Sequence, residues 1–187
     1  MNGTESIEWI ALAKENGKIL ALSKECLYAM PFHILAEDDA PISWEKSDLR
    51  SWLNTEFYDA AFNDKDKKYI TSTTISNKNS SAAGGYGEGS TTDNVFCLSI
   101  DEVKQYLSSD EAVATTYAEM MGASVYYGHS SWWLRSIVEL EQREFIAAMN
   151  GDGSVGTETP YEFFSQYIRP AEITFVAVRP AIWLDTN

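Results

Sequence analysis

The chain opens with two short apolar runs on either side of a turn. Residues 7–13 and 18–23 are rich in Ile, Leu and Ala, and Asn16-Gly17 lies between them. Because Asn and Gly tolerate the positive φ angles of a tight hairpin turn, this pattern predicts a β-hairpin. The next apolar segment, residues 27–35, is interrupted by Pro31, which cannot donate a ladder hydrogen bond. We therefore predict an irregular packed segment or an edge strand there.

Apolar residues at three- and four-residue spacing predict a helix that begins at Asp48. Ser47 can accept a hydrogen bond from an N–H group of the first turn, and the carboxylate of Asp48 complements the positive end of the helix dipole. Side chains with this spacing share one face and are expected to pack in a core. The predicted stripe consists of Leu49, Trp52, Leu53, Phe57 and Ala60.

A second helix is predicted after a short strand at residues 95–98. Ser99 and Glu102 have the spacing of a capping box, in which each side chain accepts a hydrogen bond from the other residue's backbone N–H. We expect this helix to reach about Leu107. Residues 110–121 predict another short helix that ends at Gly122. The second helix is expected to bury Ile100, Val103, Tyr106 and Leu107.

The last third of the chain predicts mainly strands. Residues 132–136 place two adjacent tryptophans in one strand, so a large aromatic ring must face each side of the sheet. Residues 144–149 and 154–157 predict a hairpin around a turn at 150–153. Further short strands are predicted at residues 69–75, 173–178 and 181–184.

Three stretches without such periodicity are predicted to be surface loops. Residues 76–94 are rich in Gly, Ser and Asn, residues 136–143 become polar from 139 onward, and residues 159–170 carry four aromatic side chains between two prolines. The glycines of the first loop are not followed by the lysine and hydroxyl of a phosphate-binding loop, so no such loop is predicted.

Charge and length restrict the classes of partner. The 187 residues contain 14 basic and 28 acidic side chains, a formal net charge of -14. This charge repels nucleic acid and anionic lipid surfaces alike. No apolar run approaches the roughly 18 residues of a membrane span, so we expect one soluble domain, residues 1–187, without membrane insertion. The compartment and the oligomeric state stay open, with a cell surface, secretion or a phage particle as the possibilities.

The few cysteines and histidines indicate no metal site and no cofactor. Cys26 and Cys97 lie in separate apolar segments without a neighbouring Cys or His, which favours two buried, reduced thiols. A disulfide between them is the alternative for an exported protein. His33 lies in an apolar segment with no acidic residue at a recognisable spacing, and we interpret it as a packing residue.

Three motifs together carry a family resemblance. They are W-E-K-S-D-L-R-S-W-L-N at residues 44–54, W-W-L-R-S at 132–136 and V-R-P-A-I-W-L at 178–184, with V-F-C-L-S at 95–99 between them. In this order they resemble an uncharacterised bacterial family, a domain of unknown function common in gut bacteria, over nearly the whole chain. That family is in turn similar to the C-type lectin-like fold of formylglycine-generating enzymes and of the variable receptor proteins of diversity-generating retroelements.

The resemblance implies an α+β fold: a mixed, mostly antiparallel sheet in which the N-terminal hairpin meets the C-terminal strands, two helices and long irregular loops. It also implies that Trp132, Trp133 and Trp183 lie mostly in the core. Arg135 and Arg179 are then expected to be half-buried and to pair with carboxylates or cap backbone carbonyls, because an unpaired buried charge is costly.

This chain lacks sequence motifs that the similar proteins need for their activities, and this restricts the functions we predict for it. The Glu-Pro-Asn, Gln-Pro-Asp and Trp-Asn-Asp triplets of calcium-dependent lectins are absent, and no cysteine pair lies in the C-terminal part as in formylglycine-generating enzymes. We therefore predict a non-catalytic domain that recognises a protein or glycan ligand, in the manner of a surface or phage receptor-binding module of the retroelement-diversified type. The predicted ligand-binding residues are Tyr161, Phe163, Phe164, Tyr167, Glu139, Glu141 and Arg143.

Two alternatives remain open. One is an enzyme related to formylglycine-generating enzymes, in which His129 with Glu139, Glu141 and Glu144 would supply acid and base groups. No nucleophile elbow, zinc-binding helix or phosphate loop supports it. The other is a structural module of a larger assembly.

Overall fold

A computed structural model describes residues 6–34, 43–78, 89–107, 112–140, 143–151 and 176–186, with the backbone alone at 139, 140 and 143–145. Most strands in it run antiparallel and helices accompany them, so the fold is α+β as expected. The strands are β1 (Trp9–Glu15), β2 (Lys18–Ser23), β3 (Tyr28–Ala29), β4 (Thr73–Ser76), β5 (Ser90–Asp93), β6 (Val95–Phe96), β7 (Val125–Tyr126), β8 (His129–Ser130), β9 (Trp132–Leu140), β10 (Arg143–Met149), β11 (Ala177–Val178) and β12 (Ala181–Asp185). The helical segments are α1 (Asp48–Trp52), a π-helical segment (Leu53–Phe57), α2 (Tyr58–Ala61), a 3-10 turn (Asp66–Lys68), α3 (Ile100–Tyr106) and α4 (Thr116–Met120). Among the described residues, α1, the π-helical segment and α2 run without a break over residues 48–61 as the long helix, and two short helices, α3 and α4, follow it.

The first sheet has the order β1-β2-β12-β6. Its β1–β2 hairpin turns at Asn16 and Gly17, whose φ angles of 49° and 75° are both positive, and this confirms the predicted hairpin. Strand β12 lies antiparallel to β2, with Trp183 opposite Leu20. The C-terminal strand therefore meets the N-terminal hairpin in one antiparallel sheet, as expected.

The second sheet, of order β10-β9-β11-β3, contains the paired tryptophans. Trp132 and Trp133 are both fully buried. The Arg179 guanidinium lies 5.1 Å from the Trp132 ring centroid, whereas Trp133 packs on Phe32 at 5.8 Å and donates its indole N–H to the carbonyl of Met30. Both faces of β9 are covered. Strand β3 is the edge strand predicted for the segment that contains Pro31.

The prediction of a loop at residues 136–143 is wrong for most of these residues. Strand β9 continues to Leu140 and β10 begins at Arg143, with these two residues opposite each other in the ladder. The reason is burial: Ser136, Ile137 and Val138 are all buried, and β10 covers the strand edge that a loop would leave open. The described partner of β10 is β9. The strand predicted at 154–157 lies outside the described residues.

The prediction of a loop at residues 76–94 is wrong at both ends of this range, where the structure has strands. Ser76 ends β4, and β5 pairs with it antiparallel from Ser90 to Asp93. Thr91 and Asp93 point inward and are buried, although polar composition alone suggested a surface. Strand β4 is also shorter than the strand predicted at residues 69–75. Ile70, in the first part of that prediction, forms an isolated bridge to Leu184 and is not part of β4.

The long helix begins where predicted but changes its geometry midway. The Ser47 hydroxyl accepts a hydrogen bond from Arg50 N, and Leu49 and Leu53 are fully buried. From Leu53 to Phe57 the helix is π-helical. Because this wider turn rotates the later residues relative to an α-helix, Ala60 is exposed, and its predicted place in the core is wrong.

The two later helices agree with their capping signals. Both hydrogen bonds of the Ser99–Glu102 capping box are present at α3. Ile100 and Val103 are buried, whereas Tyr106 and Leu107 are half-buried. Helix α4 is shorter than the predicted 110–121, and Gly122, with a φ of 108°, follows its end.

Arg135 and Arg179 are more buried than expected, at 5% and 0% exposure. Their expected pairing is confirmed. Arg135 binds both carboxylate oxygens of Glu102 and the carbonyl of Cys97, and Arg179 donates to the carbonyls of Ser23 and Lys24. Cys26 and Cys97 are both buried thiols, so the favoured interpretation of the cysteines is confirmed.

Candidate functional site

A solvent-open groove of about 1550 Å³ lies between the first sheet, the long helix and α4. Strands β1 and β12 form one side of it, and the residues from Trp52 to Phe62 form another. Its most prominent feature is a set of aromatic rings supplied by separate parts of the chain. The lining rings are those of Trp9, Tyr28, Trp52, Phe57, Phe62, Tyr69 and Tyr117.

Six of these rings, all except Tyr69, form one continuous series. The centroid distances are 5.8 Å from Tyr117 to Tyr28 and 4.7 Å from Tyr28 to Trp52, where the rings are stacked. They are 5.3 Å from Trp52 to Phe57, 6.1 Å from Phe57 to Phe62 and 5.9 Å from Phe62 to Trp9. All these spacings are those of favourable aromatic pairs. We call this series the aromatic track.

The π-helical segment makes the track continuous. Trp52 and Phe57 are five residues apart, a separation that puts two side chains on different faces of an α-helix. The π-helical turn between them brings residues five apart closer to the same face. Such segments are rare and occur frequently at functional sites. Both rings are half-buried, so they pack on the core and also line the groove.

The charged side chains that line the described groove are all acidic. They are Glu8, Glu25, Glu56, Asp66 and Asp185. These five acidic side chains are all exposed, and we call them the acidic rim. Glu8 forms an ion pair with Lys24 at 2.6 Å, which lowers the pKa of the carboxyl and raises that of the ammonium. Asp185 lies opposite Lys18 in the sheet. Within the described part of the chain, Glu25 and Glu56 have no ion-pair partner within 4.0 Å.

Tyr28 connects the track to the acidic rim. Burial, the nearby Tyr117 and the negative charge of Glu56 raise the pKa of the Tyr28 hydroxyl, in that order of size. Glu56 lines the same groove and lies four positions after Trp52, on which the Tyr28 ring stacks. Tyr117, Tyr28 and Trp52 therefore form an aromatic surface at one end of the groove with a carboxylate beside it. We call this the tyrosine end.

The other clusters of polar side chains are structural. Asp93 is 1% exposed and accepts hydrogen bonds from Arg50 at 2.7 Å, Trp44 at 3.0 Å and Thr91 at 2.7 Å, which use its acceptor capacity inside the protein. His33 Nδ1 lies 3.0 Å from the Asp48 carboxylate. The spacing of the two residues in the sequence does not indicate this contact, because the fold joins segments that the sequence separates.

The predicted ligand-binding residues are placed only in part. Tyr161, Phe163, Phe164, Tyr167 and Glu141 lie outside the described residues. Glu139 and Arg143 are placed by their backbone alone, Glu139 opposite Glu144 and Arg143 opposite Leu140 where β9 and β10 end. Their proposed roles stay predictions.

His129, the histidine of the enzyme alternative, lies in β8 and is not among the described residues that line the groove. No three His, Cys, Asp or Glu side chains of the described segments are grouped so that they could hold a metal ion. None of the helices in the described ranges is long and apolar enough to cross a bilayer.

Sequence reasoning missed the groove because its rings come from distant segments. Trp52 and Phe57 were interpreted as core residues from their helical spacing, and Trp9 as part of a hairpin. No signal in the spacing indicates the groove, because a stripe with three- and four-residue spacing also contains pairs five apart such as Trp52 and Phe57.

The comparisons with known proteins identify a family and nothing more specific. A family model described as "Domain of unknown function (DUF6273)" matches residues 16–186. The chain belongs to this family. Searches of curated proteins and of solved structures return no match to the chain.

The motifs that carried the family resemblance have structural roles. In the first, the Trp44 indole N–H binds Asp93, Ser47 caps α1, and Asn54 bonds to the backbone of Asn94 and Val95. In the second, the Ser136 hydroxyl accepts a hydrogen bond from Ile100 N at the start of α3. Other residues of the motifs line the groove: Trp52 in the first, and Ile182 and Leu184 in the third.

Proposed function

We propose that this domain recognises a protein or glycan ligand without transforming it, and that the groove with its aromatic track is the recognition surface. The observation that carries the proposal is the track itself: six neighbouring rings in one open groove. Aromatic rings give large contact area at a small cost in side-chain entropy, which is why they dominate recognition surfaces of proteins. They also stack on sugar rings.

The non-catalytic part of the proposal rests on the sequence, which contains no nucleophile elbow, zinc-binding helix or phosphate loop. The charged side chains that the described groove offers to a ligand are exposed carboxylates. The C-type lectin-like fold, the bacterial origin and the retroelement-diversified type of receptor remain part of this proposal. A reverse transcriptase beside the gene would support the last of these.

Binding assays with the isolated domain test the proposal. A glycan array and a phage-displayed random-peptide library serve as probes, because the ligand is a glycan or a protein surface. We expect selective binding to members of one set, and weakening by Tyr117→Ala, which removes a 39%-exposed ring of the track. Tyr127→Ala is the matched control, since Tyr127 is 85% exposed and does not line the groove. Equal loss in both variants, or no binding to either probe set, would contradict the proposal.

A second candidate function is a module of a larger assembly, and one surface feature favours it. Strands β7 and β8 form a small hairpin whose tip exposes Tyr126 and Tyr127 at 74% and 85%, and Met120, the last residue of α4, is 68% exposed. Exposed aromatic and methionine side chains are typical of protein contacts. Gel filtration at two protein concentrations tests it: self-association that Tyr126→Ser/Tyr127→Ser abolishes supports this function, and a monomer at both concentrations rejects self-assembly.

A further inference from the structure

We propose that the tyrosine end of the groove takes a lysine or arginine side chain of an extended peptide, whose further residues lie along the aromatic track. This inference rests on the proposed function, because it names the ligand class for the same groove. Its basis is the charge of the rim, the aromatic surface beside it and the size of the groove.

The rim selects for positive charge. The five charged side chains that line the described groove are all acidic, and the whole chain has a net charge of -14. Lys24 and Lys67, which neighbour Glu25 and Asp66 in the sequence, already form ion pairs with Glu8 and Asp59. Glu25 and Glu56 are exposed and carry no such partner among the described residues, so they are available to a cation from outside.

The aromatic rings that line the same groove add a second preference for cations. A guanidinium or ammonium group is attracted to the face of an aromatic ring within about 6 Å of its centroid. This protein uses the same arrangement internally, with Arg135 5.6 Å from the Phe96 ring and Lys67 4.9 Å from the Tyr58 ring. At the tyrosine end, a cationic side chain meets both the rings of Tyr28 and Tyr117 and the carboxylate of Glu56.

The size of the groove favours a peptide over a small organic cation. Sites for small molecules occupy about 300–1,000 Å³, whereas this groove has about 1550 Å³ and is open to solvent. A small cation fills only the tyrosine end. An extended peptide also covers the rings from Trp52 to Trp9, and its other side chains find apolar contacts there.

Four matched nonapeptides test the inference by fluorescence anisotropy. They alternate serine with lysine, arginine, glutamine or glutamate and carry the same label. We expect the lysine and arginine peptides to bind, the glutamine peptide to bind about tenfold more weakly, and the glutamate peptide not to bind. Because each exposed ion pair changes affinity by only a few-fold, Glu25→Gln/Glu56→Gln should weaken the lysine peptide by about tenfold. Raising the salt concentration should weaken it further.

The control variant removes the same charge elsewhere. Glu45→Gln/Asp101→Asn replaces two exposed acids that do not line the groove, and it should leave the affinity for the lysine peptide unchanged. Equal weakening in both double variants would overturn the inference, because the peptide would then respond to net charge alone. Spermidine that competes with the same affinity as the lysine peptide would overturn it in favour of a small cation.

The same panel separates this inference from the proposed function. If the glutamine peptide binds as tightly as the lysine peptide and Tyr117→Ala weakens both, the preference for cations is wrong and recognition by the groove stands. If no nonapeptide binds and the glycan array and peptide library are also negative, both proposals fail.

Discussion

The rings of Trp52 and Phe57 lie 5.3 Å apart although the two residues are five positions apart on one helix. Asn54, inside the π-helical segment, ties this part of the helix to β6. Its side-chain oxygen accepts hydrogen bonds from Asn94 N and Val95 N, and its amide group donates to the carbonyls of Val95 and Arg50. The connection fixes the π-helical segment against the sheet.

Replacement of Asn54 by alanine should therefore lower stability. The change leaves several backbone groups of the 94–95 segment without partners, and we expect a loss of about 2 kcal/mol in the free energy of unfolding, measured with urea. Thr55→Ala is the control, because the neighbouring Thr55 is exposed and bonds only to its own helix. An equal effect of the two substitutions would contradict the role given to Asn54.

Arg135, the buried arginine of β9, should contribute more to stability than the exposed Lys104. Arg135→Met removes the bidentate pair with Glu102 and the hydrogen bond to Cys97 O, and it leaves the carboxylate partly buried. We expect a loss of about 3–5 kcal/mol in urea unfolding. Lys104→Met, at an exposed position of α3, should leave the unfolding midpoint unchanged. A loss below about 1 kcal/mol for Arg135→Met would reject this assignment.

The capping box of α3 gives a smaller, local effect. Ser99→Ala removes the acceptor for Glu102 N, and caps of this kind contribute about 1 kcal/mol. For a domain of this size the melting temperature should fall by about 2–4 °C. Ser51→Ala, on the exposed side of α1, is the matched serine control and should leave the melting temperature unchanged.

Such local features could be predicted from the sequence because they are determined within a few residues. The Asn16-Gly17 turn, the Ser47 cap and the Ser99–Glu102 box are examples. The strand conformation of residues 136–140 could not be predicted, because it depends on pairing with β10. Ala60 was wrongly placed in the core because nothing in its own spacing indicates a π-helical turn. The groove needs the whole fold, as its rings extend from Trp9 to Tyr117 in sequence.

The thiol of Cys97 should be chemically inert in the folded protein. It is fully buried, and burial raises its pKa above the ordinary value of 9.0. A thiol reagent at pH 8 should label neither Cys97 nor the equally buried Cys26, and should label both in denaturant. Rapid labelling of the native protein would contradict their placement.

The raised pKa of Cys97 also predicts a pH dependence of stability. The folded thiol keeps its proton where the unfolded thiol loses it, so this contribution is complete below pH 9.0 and decreases as the pH rises above it. The slope approaches about 1.4 kcal/mol per pH unit. The difference in unfolding free energy between the wild type and Cys97→Ala, followed from pH 8 to pH 11, isolates this effect from the other groups that titrate there. A constant difference across that range would contradict the shift.

The most direct test of the recognition groove is a titration of ¹⁵N-labelled protein with the lysine nonapeptide, followed through the indole N–H signals. Trp9 and Trp52 line the groove, whereas the indole groups of Trp44 and Trp133 are bonded to Asp93 and Met30 in the interior. We predict that the signals of Trp9 and Trp52 shift progressively while those of Trp44 and Trp133 stay in place. Unchanged Trp9 and Trp52 signals at a peptide concentration that saturates binding would contradict the groove as the recognition surface.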